Sequence, residues 1–150
     1  MKKLFLILLI ILFCSSAYGA GSCTTTSNFD VGTGLTILTF TWTSTSGGAV
    51  SSVGGIGPVT GMVHGVQFVP DGTAKPSALY DVTIVDGAGL DVLMAAGANL
   101  PQAATDTTNF QTPLNADSAK IVLYNAVLTP AITNAGDTKA GVIYLYIGAP

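Results

Sequence analysis

Short segments in which apolar residues recur at every second position, set between Gly-rich turns, constrain this chain more than any other feature. The clearest covers residues 36–43, where Leu38, Phe40 and Trp42 share one face and Thr39, Thr41 and Thr43 the other. A period of two marks a half-buried strand, because successive side chains leave a pleated backbone on opposite sides. Residues 44–58, with Gly47-Gly48, Gly54-Gly55 and Gly57-Pro58, read as a mobile loop that cannot hold a helix.

The pattern then repeats. Residues 63–69 read as a strand closed by the turn chemistry of Pro70-Asp71-Gly72. Residues 79–86 place Tyr80, Val82 and Ile84 on one side. Asp86-Gly87-Ala88-Gly89 turns the chain into residues 90–94, either as a β-hairpin or as a short helical turn ended by Gly97. Residues 98–117 read as a surface excursion. Residues 119–128 are apolar nearly throughout and resemble a strand covered on both faces, with Pro130 interrupting its ladder or marking a bulge. After a turn over residues 134–137, residues 140–147 form the last strand, with Val142, Tyr144 and Tyr146 opposite Ile143, Leu145 and Ile147. No helix of ordinary length and no internal repeat emerges. The expected fold is all-β, a single β-sandwich or Greek-key domain of jelly-roll type over residues 35–150. The Ser-, Thr- and Gly-rich residues 20–34 read as a flexible tether or an irregular first strand.

Residues 1–19 have a different character. Lys2 and Lys3 precede an unbroken apolar run, and Ala17 and Gly19 place small residues where a signal peptidase reads them. A secretory signal cleaved after Gly19 fits best, with cleavage after Ala17 as the alternative. The run is roughly half the ~20 residues that span a bilayer, so stable membrane insertion after cleavage is not expected. Lipidation at Cys14 is disfavoured by the bulky Phe13 before it. The mature chain is therefore expected to be exported to the periplasm or beyond the cell.

Removing Lys2 and Lys3 from the five Lys and Arg leaves three positive against eight negative side chains, a net charge of −5. Nucleic-acid binding needs clustered Lys and Arg to displace counterions from phosphates, and the three remaining lysines (Lys75, Lys120, Lys139) are scattered. Cys23 has no mature partner once Cys14 leaves with the signal. Its polar surroundings suggest an exposed terminus, with a tolerated free thiol favoured over an intermolecular bridge.

Catalytic chemistry is poorly provided for. The body beyond residue 19 has no Arg and no Glu, a single His and a single Cys. His64, expected on one strand face with Val66 and Phe68, shows no orienting partner in the sequence, so no residue is assigned a catalytic role. Zinc would need more Cys and His ligands. Neither Gly32-Thr33-Gly34 nor Gly54-Gly55-Ile56-Gly57 completes a phosphate-binding fingerprint, so no cofactor is expected. Residues 86–93 partly resemble one calcium-binding nonapeptide. Such copies bind calcium when stacked, and this chain has one, so a plain turn at Asp86 to Asp91 is favoured.

Four motifs in the second half carry a resemblance. They are Y-D-V-T at 80–83, D-x-x-G-x-D-V-L at 86–93, G-A-N-L at 97–100 and N-A-G-D-x-K-x-G at 134–141, the last leading to Tyr144 and Tyr146. Over residues 79–150 the chain resembles small proteins encoded among the virion genes of tailed bacteriophages and prophages. The resemblance implies a non-enzymatic component of a particle, such as an accessory capsid, decoration or tail protein, and carries over no catalytic residue. Protein partners are then expected, a homo-oligomer among them, with residues 142–147 as a candidate edge for strand pairing. The export signal leaves two explanations open: a phage product that is exported and joins the virion or cell surface later, or a domain reused as a secreted bacterial protein. The second function class is a secreted adhesin or glycan-binding module using Trp42 or Tyr rings as stacking platforms, although Trp42, alternating with Thr, suits a core better.

Overall fold

The computed structural model describes residues 21–50, 54–102, 110–114 and 119–149, so the proposed signal peptide lies outside the described residues. The fold is all-β and antiparallel. Its strands are β1 (Ser22–Asp30), β2 (Leu35–Thr43), β3 (Ile56–Pro70), β4 (Asp81–Val85), β5 (Phe110–Gln111), β6 (Val122–Thr133) and β7 (Ala140–Gly148). No helix occurs among the described residues. Six strands follow the order β1-β2-β7-β3-β6-β4, and β5 pairs with β3 off that path.

Strand β2 forms as its alternation dictates: Leu38, Phe40 and Trp42 are buried. Its neighbour was less legible. The segment read as a flexible tether or an irregular first strand contains β1, a regular nine-residue strand in register with β2 from Ser22↔Thr43 to Asp30↔Leu35. Ser and Thr on β1 bury little, so no apolar period announces the strand, and the backbone ladder to β2 supplies what side chains do not.

Strand β3 starts at Ile56, inside the predicted loop, and runs past Gly57, Pro58 and Gly61. Those residues sit where its pairing with β6 shifts register, between Ile56 and Val59 and between Val59 and Gly61. A bulge tolerates a Pro or Gly that a regular ladder would not. At Met62 the strand pairs with β6 through Val122 and with β7 through Gly148, and from there to Pro70 it follows β7.

Strand β7 bonds β2 on one side and β3 on the other, which corrects the expectation that residues 142–147 form an edge. Ile143, Leu145 and Ile147 are buried, while Val142, Tyr144 and Tyr146 lie half-buried on the outer face. Strand β6 also departs from expectation. Only one of its faces is covered: Leu123, Leu128 and Ile132 are buried, whereas Val122, Tyr124 and Val127 are exposed. Asn125, with φ of 51°, breaks the alternation between Tyr124 and Val127, which is why both point outward. Pro130 pairs with Ile84 without interrupting the ladder. Ile132 exchanges backbone hydrogen bonds with Val50 on the edge away from β4. Pro130, two residues earlier, turns its missing N–H toward that same edge and costs the β4 pairing nothing.

Residues 91–98 form successive turns, with Met94 N–H bonded to Asp91 O, Ala96 N–H to Leu93 O and Ala98 N–H to Ala95 O. Of the two readings of this segment, the hairpin forms only at its start, where Val85 and Asp91 make an antiparallel bridge. The helical turn does not form, because Met94 and Ala95 take positive φ of 47° and 64° and the chain goes on in non-helical turns. The core joins the second strand of the order to the segment that leads into the last. Trp42 on β2 and Tyr80, just before β4, lie 5.9 Å apart between ring centroids. Three strands separate β2 from β4, and in a flat sheet four interstrand steps would span about 19 Å. The sheet therefore curls over a shared apolar interior.

Candidate interaction surface

The six described carboxylates are all engaged by hydrogen-bond donors. Asp86 Oδ1 accepts from Ala88 and Leu90 N–H at 2.9 Å each. Asp91 Oδ1 accepts from Ile84 N–H at 3.2 Å and Leu93 N–H at 3.1 Å, and Oδ2 accepts from Ala95 N–H at 3.3 Å. The stretch weighed as a calcium loop is thus a turn whose carboxylate oxygens already face backbone donors. Among the described residues no group of three or more His, Cys, Asp or Glu is placed to hold a metal.

Asp71 Oδ1 accepts from Thr73 and Ala74 N–H at 2.8 and 2.6 Å. Asp30 caps the β1–β2 turn through Gly32 N–H and Thr33 Oγ1, and Asp137 accepts from Thr138 Oγ1 at 2.6 Å. Asp81 accepts from Asn99 N–H and Asn134 Nδ2, each at 2.8 Å. Donors aimed at the charged form hold Asp30, Asp71 and Asp81 below the usual carboxylate range.

These bonds bring the four sequence motifs together around β4. Asn99 and Asn134 both bond Asp81, and Val82 N–H donates to Gly97 O at 2.7 Å. A Cβ on Gly97 would overlap the Val82 carbonyl, so only Gly permits that approach. The motif residues are scaffold: they fix turns and seal the outer edge of β4.

His64 lies half-buried in β3, next to the register shift between Val63 and Gly65. The extra residue turns Val63, Val66 and Phe68 inward and leaves His64 on the other side, correcting the expected shared face. Its Nδ1 lies 3.4 Å from Lys120 Nζ. A lysine ammonium can only donate there, so this pair lacks the acceptor that orients a catalytic imidazole. Its ring packs against the end of β7, where a Cβ on Gly148 would overlap Nε2.

Cys23 is the second correction. It is buried opposite Trp42 rather than exposed, and burial pushes its thiol up to about 11. Such a thiol stays protonated at neutral pH and reacts slowly. Trp42 is 2% exposed and cannot serve as a stacking platform. Tyr124, at 88% exposure, offers its ring to solvent; sequence reasoning considered Tyr rings in general but did not single this one out, because it sits in an apolar run.

Depressions on the described surface include two between strands. One, of about 270 Å³, lies between β2 and the first half of β3, lined by Ser27, Thr36, Leu38, Ile56, Pro58 and Thr60. No ionisable side chain lines it. The other, of about 310 Å³, lies where β2 and β3 end and β7 begins, beside Trp42, Asp71 and Gly141.

What remains available for recognition is backbone and apolar surface. Strand β4 has its outer edge taken: Tyr80 O accepts from Leu100 N–H, Ile84 N–H donates to Asp91 and Ile84 O accepts from Val92 N–H. Strand β1 ends the strand order, and no described residue pairs with its outer edge. Phe29 and Val31 near its far end are 60% and 85% exposed. In comparisons with protein-family models, curated proteins and solved structures, no match to the chain was found.

Proposed function

We propose that this chain is an exported, non-enzymatic assembly module whose curled sheet closes as a sandwich of jelly-roll type, and that it serves as a structural component of a phage particle. The observation that carries the reading is the division of labour among side chains. Every described carboxylate accepts hydrogen bonds from turn or loop donors and the single imidazole faces a lysine, whereas β1 offers a nine-residue edge with Phe29 exposed near its end and β6 holds Val122, Tyr124 and Val127 out to solvent. Surfaces of that kind recognise other proteins by strand addition and apolar contact. The contact between Trp42 and Tyr80 across the strand order supports the sandwich. The particle assignment rests on the resemblance carried by the motifs at 80–83, 86–93, 97–100 and 134–141. Mass spectrometry of gradient-purified virions tests it: peptides of this chain should band with the capsid and tail proteins, and their confinement to the particle-free fraction would remove the assignment.

One observation favours a second reading, a secreted bacterial surface module that binds glycans. Tyr124 presents its ring to solvent beside Val122, as a sugar-stacking platform would. Glycan-array binding by wild type that is lost in Tyr124→Ala would favour it.

A further inference from the structure

The outer edge of β1 is unusual for an edge strand. Natural edges are commonly blunted by Lys, Pro, bulges or short length. Here nine residues, Ser-Cys-Thr-Thr-Thr-Ser-Asn-Phe-Asp, pair with β2 without a register shift, and their one charge, Asp30, stands at the end. Such an edge is a template for another strand. Two other strands could be considered as its complement within the same fold. The outer edge of β4 is occupied by residues 91–100, and β6 is interrupted by Asn125 in the left-handed region. Head-to-tail pairing through either is therefore closed, and among the described strands β1 itself is the long regular edge left.

We infer that β1 pairs with β1 of a second copy, antiparallel and about a twofold axis through Thr26, making one continuous sheet across a homodimer. The register follows from three features. An antiparallel twofold centred on Thr26 sets Thr24 opposite Asn28 of the second copy and Thr25 opposite Ser27, so small polar side chains meet about the axis. It also separates the two Asp30 carboxylates by the length of the strand, whereas parallel pairing would set them side by side. Finally, it places Phe29, 60% exposed, opposite the second copy's Cys23, which is buried against Trp42. An aromatic ring left in water by the single chain thus gains the margin of a partner's core. The inference rests on the assembly reading and names its partner, but it does not depend on which particle is built.

The test uses the exported chain itself. Light scattering after size exclusion should give twice the chain mass, with dissociation on dilution, since an edge ladder is a small interface. Thr26→Lys, which sets two ammonium groups face to face on the axis, should yield a monomer of unchanged far-ultraviolet circular dichroism. In a Cys23→Ala background, oxidised Thr26→Cys should form a covalent dimer, because the axis brings that residue onto itself. Thr24→Cys, displaced from its own copy along the strand, should cross-link at least tenfold more slowly. A monomeric wild type, a Thr26→Lys protein that stays dimeric, or equal cross-linking at Thr24 and Thr26 would overturn the inference. If a monomeric wild type still co-sediments with particles, the homodimer fails and the assembly reading stands. If a dimeric wild type ignores particles, the reverse holds.

Discussion

Trp42 shows how single residues set this core. Its indole is buried between Cys23 and Tyr80, and the backbone of β7 passes so close that a Cβ on Gly141 would lie 2.8 Å from its Cζ2. Truncation to Ala would empty that volume without letting the sheet collapse into it. Trp42→Ala should cost about 3 to 5 kcal/mol in urea unfolding, and a loss under about 1 kcal/mol would mean that the ring contributes little to the interior. Cys23 carries a pH dependence. With its thiol at about 11 in the fold against an ordinary 9.0, the folded chain holds a proton over a range where the unfolded chain releases it. That contribution is complete below about pH 9 and is lost as the pH rises through about 11. The Tyr80 phenol, raised to about 12 by burial, extends the loss further. Cys23→Ala should therefore show a smaller fall in urea midpoint than wild type between about pH 8 and about pH 10.5, and parallel falls would contradict the assignment. The burial of Trp42 was legible from its alternation with Thr. The burial of Cys23 was not, because it depends on a cross-strand neighbour that local sequence does not name.

At the scale of elements, the strands that announced themselves are those with one apolar face: β2, β4 and β7. Strand β1 lacked that signal, and the first half of β3 was concealed by Gly57 and Pro58, which are tolerated only because a bulge receives them. The run in β6 looked two-sided because hydrophobicity alone cannot distinguish a covered face from one held out to solvent. The turns were readable as turns, but the work of their carboxylates was not. Asp91 closes the edge of β4 by accepting from Ile84 N–H, with no strand to take that donor. Asp91→Ala would leave the donor without its side-chain acceptor and should cost about 1 to 3 kcal/mol. Amide exchange at Ile84 should accelerate in the same variant. Unchanged exchange there would show that the carboxylate is dispensable to the edge.

At the scale of the whole molecule, strand order is what sequence pattern withheld. Strand β7 lies between β2 and β3, and β6 joins β3 to β4, pairings among distant segments that no local period encodes. The same order removes residues 142–147 from the edge and leaves β1 there. Among the described residues the carboxylates are tied to turns and loops, and the side chain bonded to His64 is Lys120. Assembly without catalysis is the central claim, and it is tested most directly by comparing wild type with His64→Ala in co-sedimentation with particles and in an esterase, glycosidase and peptidase screen. Equal co-sedimentation with no turnover by either protein is the predicted result. Turnover by wild type that vanishes in His64→Ala would contradict it.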